Sequence, residues 1–193
     1  MITPGTTTLP ISVKAMSTSH PPTRRRFAGD WDEIEYLYRK LLYWFCERED
    51  RRRAAAFCDR LEPLLNQVSP DDKVIVGEEC RSLICEVRGD LGGAIRHREN
   101  EIRLIKRLHR ISLNTPSRNL ALSHYDFSDL SERLDLLAAL YHEAGDLDRA
   151  IRILKESKQL CEKRGIRFES PELLRHYLRE RGAHRPLSRS VSN

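Results

Sequence analysis

No apolar run in the 193 residues approaches the roughly 18 needed to cross a membrane. Nine Gly and nine Pro are too few for a collagenous or mucin-like chain, and aromatics make up only 7%. The 39% hydrophobic content excludes a wholly disordered chain and suffices for one domain with a real core. No charged stretch followed by an apolar one opens the chain, so no secretory signal is read and a cytoplasmic location is expected. Pro4, Pro10, Pro21 and Pro22 spoil the amphipathic helix that a transit peptide needs, and Met16 offers a second start. Residues 1–29 are expected to be a disordered basic arm.

Zinc and catalytic patterns are missing as well. Cys46, Cys58, Cys80, Cys85 and Cys161 are odd in number and form no C-x-x-C pair, which suits small buried thiols in a reducing compartment. There is no phosphate loop, no G-x-S-x-G and no H-E-x-x-H. His142 and Glu143 are adjacent, so a helix points them in different directions. The expectation is a protein without enzyme activity, cofactor or metal.

The formal charge of +5 sits at the ends: residues 1–29 and 182–193 hold six of the 34 basic residues and none of the 29 acidic ones. The body, with 28 basic against 29 acidic residues, has no overall field to draw in a polyanion, so nucleic acid is disfavoured as its partner.

From Asp30 onward the apolar residues recur at helical spacing, and no strand alternation competes. Seven helices are expected, over about 31–48, 51–66, 71–88, 91–112, 129–144, 147–164 and 171–181. The first gathers Trp31, Ile34, Leu37, Tyr38, Leu41, Leu42 and Phe45 on one face. Ser69-Pro70-Asp71-Asp72 and Ser170-Pro171-Glu172 read as helix starts, Asp129 to Glu132 as a capping box, and 114–128 as the one long loop. A basic, Ser-rich tail over 183–193 is expected to be disordered.

Gly89-Asp90-Leu91-Gly92-Gly93-Ala94-Ile95-Arg96 recurs 56 residues later as Gly145-Asp146-Leu147-Asp148-Arg149-Ala150-Ile151-Arg152. Gly ends one helix in a left-handed conformation, Asp caps the next, and a small Ala lets the two helices approach closely. On these turns, and on Leu134, Leu137, Ala138, Tyr141, Gly145, Ala150, Leu154 and Ser157, the chain resembles the tetratricopeptide repeat family. The Gly89 copy is degenerate, with Ser82, Cys85 and Arg98 at the small, aromatic and large apolar positions. A third copy with Glu49-Asp50 at the turn lacks the Gly. Spacings of 40 and 56 exceed the family's 34.

The resemblance implies an all-α, right-handed solenoid over 30–182, with hairpins at about 31–66, 71–112 and 129–165 and a capping helix at about 171–181. It also implies a non-catalytic adaptor that binds a partner peptide or helix in a concave groove. Projected groove positions are Tyr36, Arg39, Tyr43 and Glu47; Glu79, Leu83 and Glu86; and Glu132, Asp135, Ala139, His142 and Glu143. Their acidity departs from the clamp that grips chaperone C-termini. It suits a basic or neutral segment with an apolar anchor, although the same residues also read as an ordinary solvated face. Arg96, Arg103, Arg107 and Arg110 fall within about 60° on the fourth helix, a basic stripe that most often only keeps a face wet. Two other readings are nucleic-acid or acidic-surface binding through the tails and this stripe, and a structural homo-oligomer through Trp31, Tyr36, Tyr43 and Trp44.

Overall fold

The computed structural model describes residues 30–68, 74–114 and 127–184, and every regular element among them is helical. The elements are α1 (Asp30–Leu42), continued by a π-helical turn (Tyr43–Glu47), α2 (Arg51–Gln67), α3 (Val74–Arg88), α4 (Leu91–Asn114), α5 (Phe127–Glu143), α6 (Leu147–Arg164) and α7 (Pro171–His184). The expected arm over 1–29, most of the tail and the helix start at 69–73 lie outside the described residues.

Two expected boundaries shift. α5 begins at Phe127, so Asp129 stands in its first turn instead of capping it, and the predicted loop is shorter at both ends. At the other end of the chain, α7 runs on to His184, past the expected stop near Gly182.

Each helix packs on its neighbours in sequence, α1 on α2 and so on through α6 on α7. The reason lies in the turns. Gly89 (φ 77°) and Gly145 (φ 78°) take the left-handed conformation that costs an ordinary residue about 1–2 kcal/mol. Asp90 and Asp146 then accept from the backbone N–H groups of Gly93 (2.8 Å) and Arg149 (3.0 Å), satisfying donors that the helix start leaves open. Glu49-Asp50 does the same without glycine: Glu49 has φ 52°, and Asp50 accepts from the N–H of Arg53 at 3.0 Å. Ala54, Ala94 and Ala150 follow at the same step in all three turns, each with no exposed surface.

One difference separates the first turn from the others. Asp90 and Asp146 donate from N–H to the carbonyls of Cys85 and Tyr141, five residues back, both at 2.8 Å. Asp50 reaches six residues back, to Trp44, at 2.8 Å. The additional residue is taken up by the π-helical turn, a wider coil that absorbs an insertion without breaking the helix.

The core falls into two clusters. Ile34, Leu37, Leu41, Ala54, Cys58, Leu61 and Leu65 join Leu83, Ile84 and Val87 between α1, α2 and α3. Ile102, Ile105, Leu130, Leu134, Leu137, Ala138, Ile151 and Leu154 join Leu174 and Tyr177 across α4 to α7. Fully burying one such aliphatic side chain contributes about 1.5–3 kcal/mol. Cys58, Cys80 and Cys161 are buried thiols as expected, whereas Cys85 is half-buried and Cys46, on the π-helical turn, is exposed.

Candidate functional site

Between the two apolar clusters lies a layer of charge. Glu101 has no exposed surface and stands between two guanidinium groups, Arg98 Nη1 at 2.6 Å and Arg133 Nε at 2.5 Å. Arg98 Nη2 extends to Glu86 Oε1 at 3.7 Å, and Arg133 Nη2 to Glu79 Oε1 at 3.4 Å. Glu79 also accepts from the Tyr38 hydroxyl at 2.8 Å, so α1, α3 and α5 are joined side by side through Tyr38, Glu79 and Arg133. Burial raises the Glu101 and Glu86 carboxyls above their ordinary range, with Arg98 opposing the shift in both. Arg98 is itself pulled down by burial, yet Glu101 and Glu86 hold it above its usual value.

This layer was not anticipated beyond one oddity, Arg98 at a large apolar repeat position. Glu101, one turn later on the same face, was the remaining signal.

Of the projected groove residues, Glu79 and Glu86 are half-buried parts of this layer, and Leu83, 4% exposed, belongs to the core instead of an open face. Asp135 accepts from Ser170 Oγ at 2.5 Å. The His142 ring stacks on Tyr177 at 4.3 Å, with Nε2 against Glu180 at 2.8 Å. Asp135 and His142 are therefore seats for α7 and the segment leading into it. Ala139 is half-buried, and Glu132 and Glu143 are exposed.

On α1 the inserted residue turns the register by one, so Tyr38 and not Arg39 faces α3, while Arg39 is exposed and paired with Glu35. Tyr36 and Tyr43 are half-buried under Lys40 (5.8 Å) and Arg48 (5.3 Å), and Arg53 lies 4.4 Å over Trp44. Trp31 is also half-buried, so the four aromatics expected to self-associate are each partly covered by the chain's own side chains.

The structure does bring together the acidic ends of the odd-numbered helices. Partial burial pushes the Cys46 thiol up to about 11, with Glu86 and then Glu47 adding to it, and Glu143 adds to the burial that raises Glu86. On the opposite side of the molecule Arg96, Arg103 and Arg107 are exposed along α4, whereas the Arg110 side chain lies outside the description. Among the described residues, no group of His, Cys, Asp or Glu is arranged to hold a metal ion, and no helix is long and apolar enough to cross a membrane. Compared with protein-family models, curated proteins and solved structures, the chain matches none.

Proposed function

We propose that the chain is a tetratricopeptide-like helical repeat protein: a short right-handed solenoid of three hairpins, α1–α2, α3–α4 and α5–α6, closed by α7. In this reading it is a non-catalytic adaptor that holds a basic segment of a partner protein against α1, α3 and α5. The observation that carries the reading is the recurrence of one turn: a left-handed residue, a capping Asp and a buried Ala, at Glu49, Gly89 and Gly145. Packing of each helix on its sequence neighbours supports it, as expected for repeats that bury their faces by stacking.

The chemistry of the face points to the kind of partner. α1 with its π-helical turn carries five acidic residues against two basic ones, and α5 four against one. Opposite charge speeds the encounter, and an apolar anchor beside Tyr43 adds contact energy. Because α7 covers Asp135 and His142, contact falls on the exposed Glu47 and Glu143, with the half-buried Tyr43 and Glu86 beside them.

The test is fluorescence anisotropy with the full chain and labelled peptides rich in Lys and Arg around one Leu or Phe. Binding that weakens with salt, and falls at least tenfold when Glu47→Lys and Glu143→Lys are combined, is expected. Equal binding of acidic peptides, or no loss on charge reversal, rejects the reading.

A further inference from the structure

Charge is segregated by helix. α2, α4 and α6 carry four, six and six basic residues against two, two and three acidic ones, whereas α1, α3 and α5 are all net acidic. The acids of α4 and α6 are already engaged. Glu99 accepts from the Tyr141 hydroxyl, Glu101 is buried between guanidinium groups, and Glu156 holds Lys106. Asp148 pairs with Arg181, and Glu162 with Lys158. Six exposed cations remain: Arg96, Arg103 and Arg107 on α4, and Arg152, Lys155 and Lys163 on α6. None of the six has an ion-pair partner among the described residues.

These cations share one side of the molecule. Counting about 100° per residue, Arg96, Arg103 and Arg107 lie opposite the buried Arg98, Ile102 and Ile105, and Arg152 and Lys163 lie opposite the buried Ala150, Leu154 and Cys161. The Lys106–Glu156 bridge, 2.5 Å, holds α4 beside α6, so the two cationic rows run next to each other. Along α4 the row covers about 16 Å at 1.5 Å per residue.

From this arrangement we propose that the outer face of α4 and α6 binds the phosphate backbone of a nucleic-acid duplex. A duplex presents phosphates along two strands, which rows of cations on two neighbouring helices can contact together. Arginine, four of the six, grips phosphate through two parallel N–H bonds. Single strands are held by stacking bases on aromatics, and neither α4 nor α6 carries a Phe, Trp or Tyr. A bilayer calls for an apolar residue to insert, but the only exposed large hydrophobic residue among the described ones is Val74, on α3. The contact is independent of base sequence, since phosphates carry no sequence information directly.

The test uses the full chain and labelled 20-base-pair DNA and RNA duplexes of arbitrary sequence, titrated at several salt concentrations. The proposal expects tight low-salt binding to at least one duplex. It also expects Arg96→Glu, Arg103→Glu and Arg107→Glu together to lower affinity at least tenfold and to reduce the salt slope by about 3, at roughly 0.9 per lost phosphate contact. Arg152→Glu, Lys155→Glu and Lys163→Glu together do the same on α6, and unchanged circular dichroism shows that both variants fold. Arg24→Glu, Arg25→Glu and Arg26→Glu together leave affinity within threefold. Absence of duplex binding, a loss that follows the 24–26 variant, or binding only to phosphatidylserine vesicles overturns the proposal. Self-association in light scattering that the α4 variant abolishes, without duplex binding, overturns it too, by assigning the face to a second copy.

Discussion

Glu101 is held by Arg98 on its own helix, buried with it, and by the partly buried Arg133 from α5. Glu101→Ala removes the acceptor that both guanidinium groups share and leaves a cavity in its place, and a loss of about 3–5 kcal/mol is expected in chemical denaturation. Arg39→Ala, at an exposed pair with Glu35, changes stability by less than about 1 kcal/mol in the same experiment. The two raised carboxyls also fix the sign of a pH effect. Because Glu86 and Glu101 take up protons more readily folded than unfolded, their contribution to stability is fully present below the ordinary carboxylate value. It is lost as pH rises through the raised folded value. Acidifying from neutral into that window therefore raises the melting temperature relative to Glu86→Gln, and identical profiles for the two proteins would contradict it. At this scale the sequence was legible wherever a residue was small, apolar or a glycine: Ala94, Ala138 and Ala150 are buried as the repeat pattern requires. Glu101 and Arg133 were not legible, because a charge on an amphipathic helix reads as solvent-facing until a partner 32 residues away comes into view.

Helix number, order and most boundaries could be read because Gly-Asp pairs end one helix and start the next by backbone conformation and capping alone. The π-helical turn could not be read. One additional residue leaves the apolar periodicity of α1 nearly unchanged while turning its face, which is why Arg39 was projected where Tyr38 stands. Glu49, with φ 52°, carries strain that glycine avoids. Glu49→Gly is expected to gain up to about 1 kcal/mol, and Gly145→Ala to lose about 1 kcal/mol, both measured by thermal melting. A loss on Glu49→Gly would mean that the Glu49 side chain makes a contact worth more than the strain.

For the whole molecule, net charge was the misleading quantity. A body of 28 basic and 29 acidic residues looks neutral, and only the division into helices shows that α2, α4 and α6 hold excess cations and α1, α3 and α5 excess anions. The division of the core has a consequence of the same scale. The α1–α2 hairpin contains the strained Glu49 and packs onto the rest mainly through α3, whereas α5–α6 is flanked by α4 and α7. In hydrogen exchange, the amides of α1 and α2 are expected to open at lower free energy than those of α5 and α6. Uniform protection across the seven helices would show a single cooperative unit.

Packing that runs from neighbour to neighbour also bears on how the chain leaves the ribosome. At about 5–20 residues per second, each hairpin has both of its helices before the next one is made, so pairing within a hairpin waits on no distant segment. Contacts between hairpins come later: Tyr38 meets Glu79 on α3, and Asp135 and His142 meet Ser170, Tyr177 and Glu180 only when the last helix emerges. Until α7 arrives, the growing chain leaves the Asp135 and His142 side of α5 uncovered.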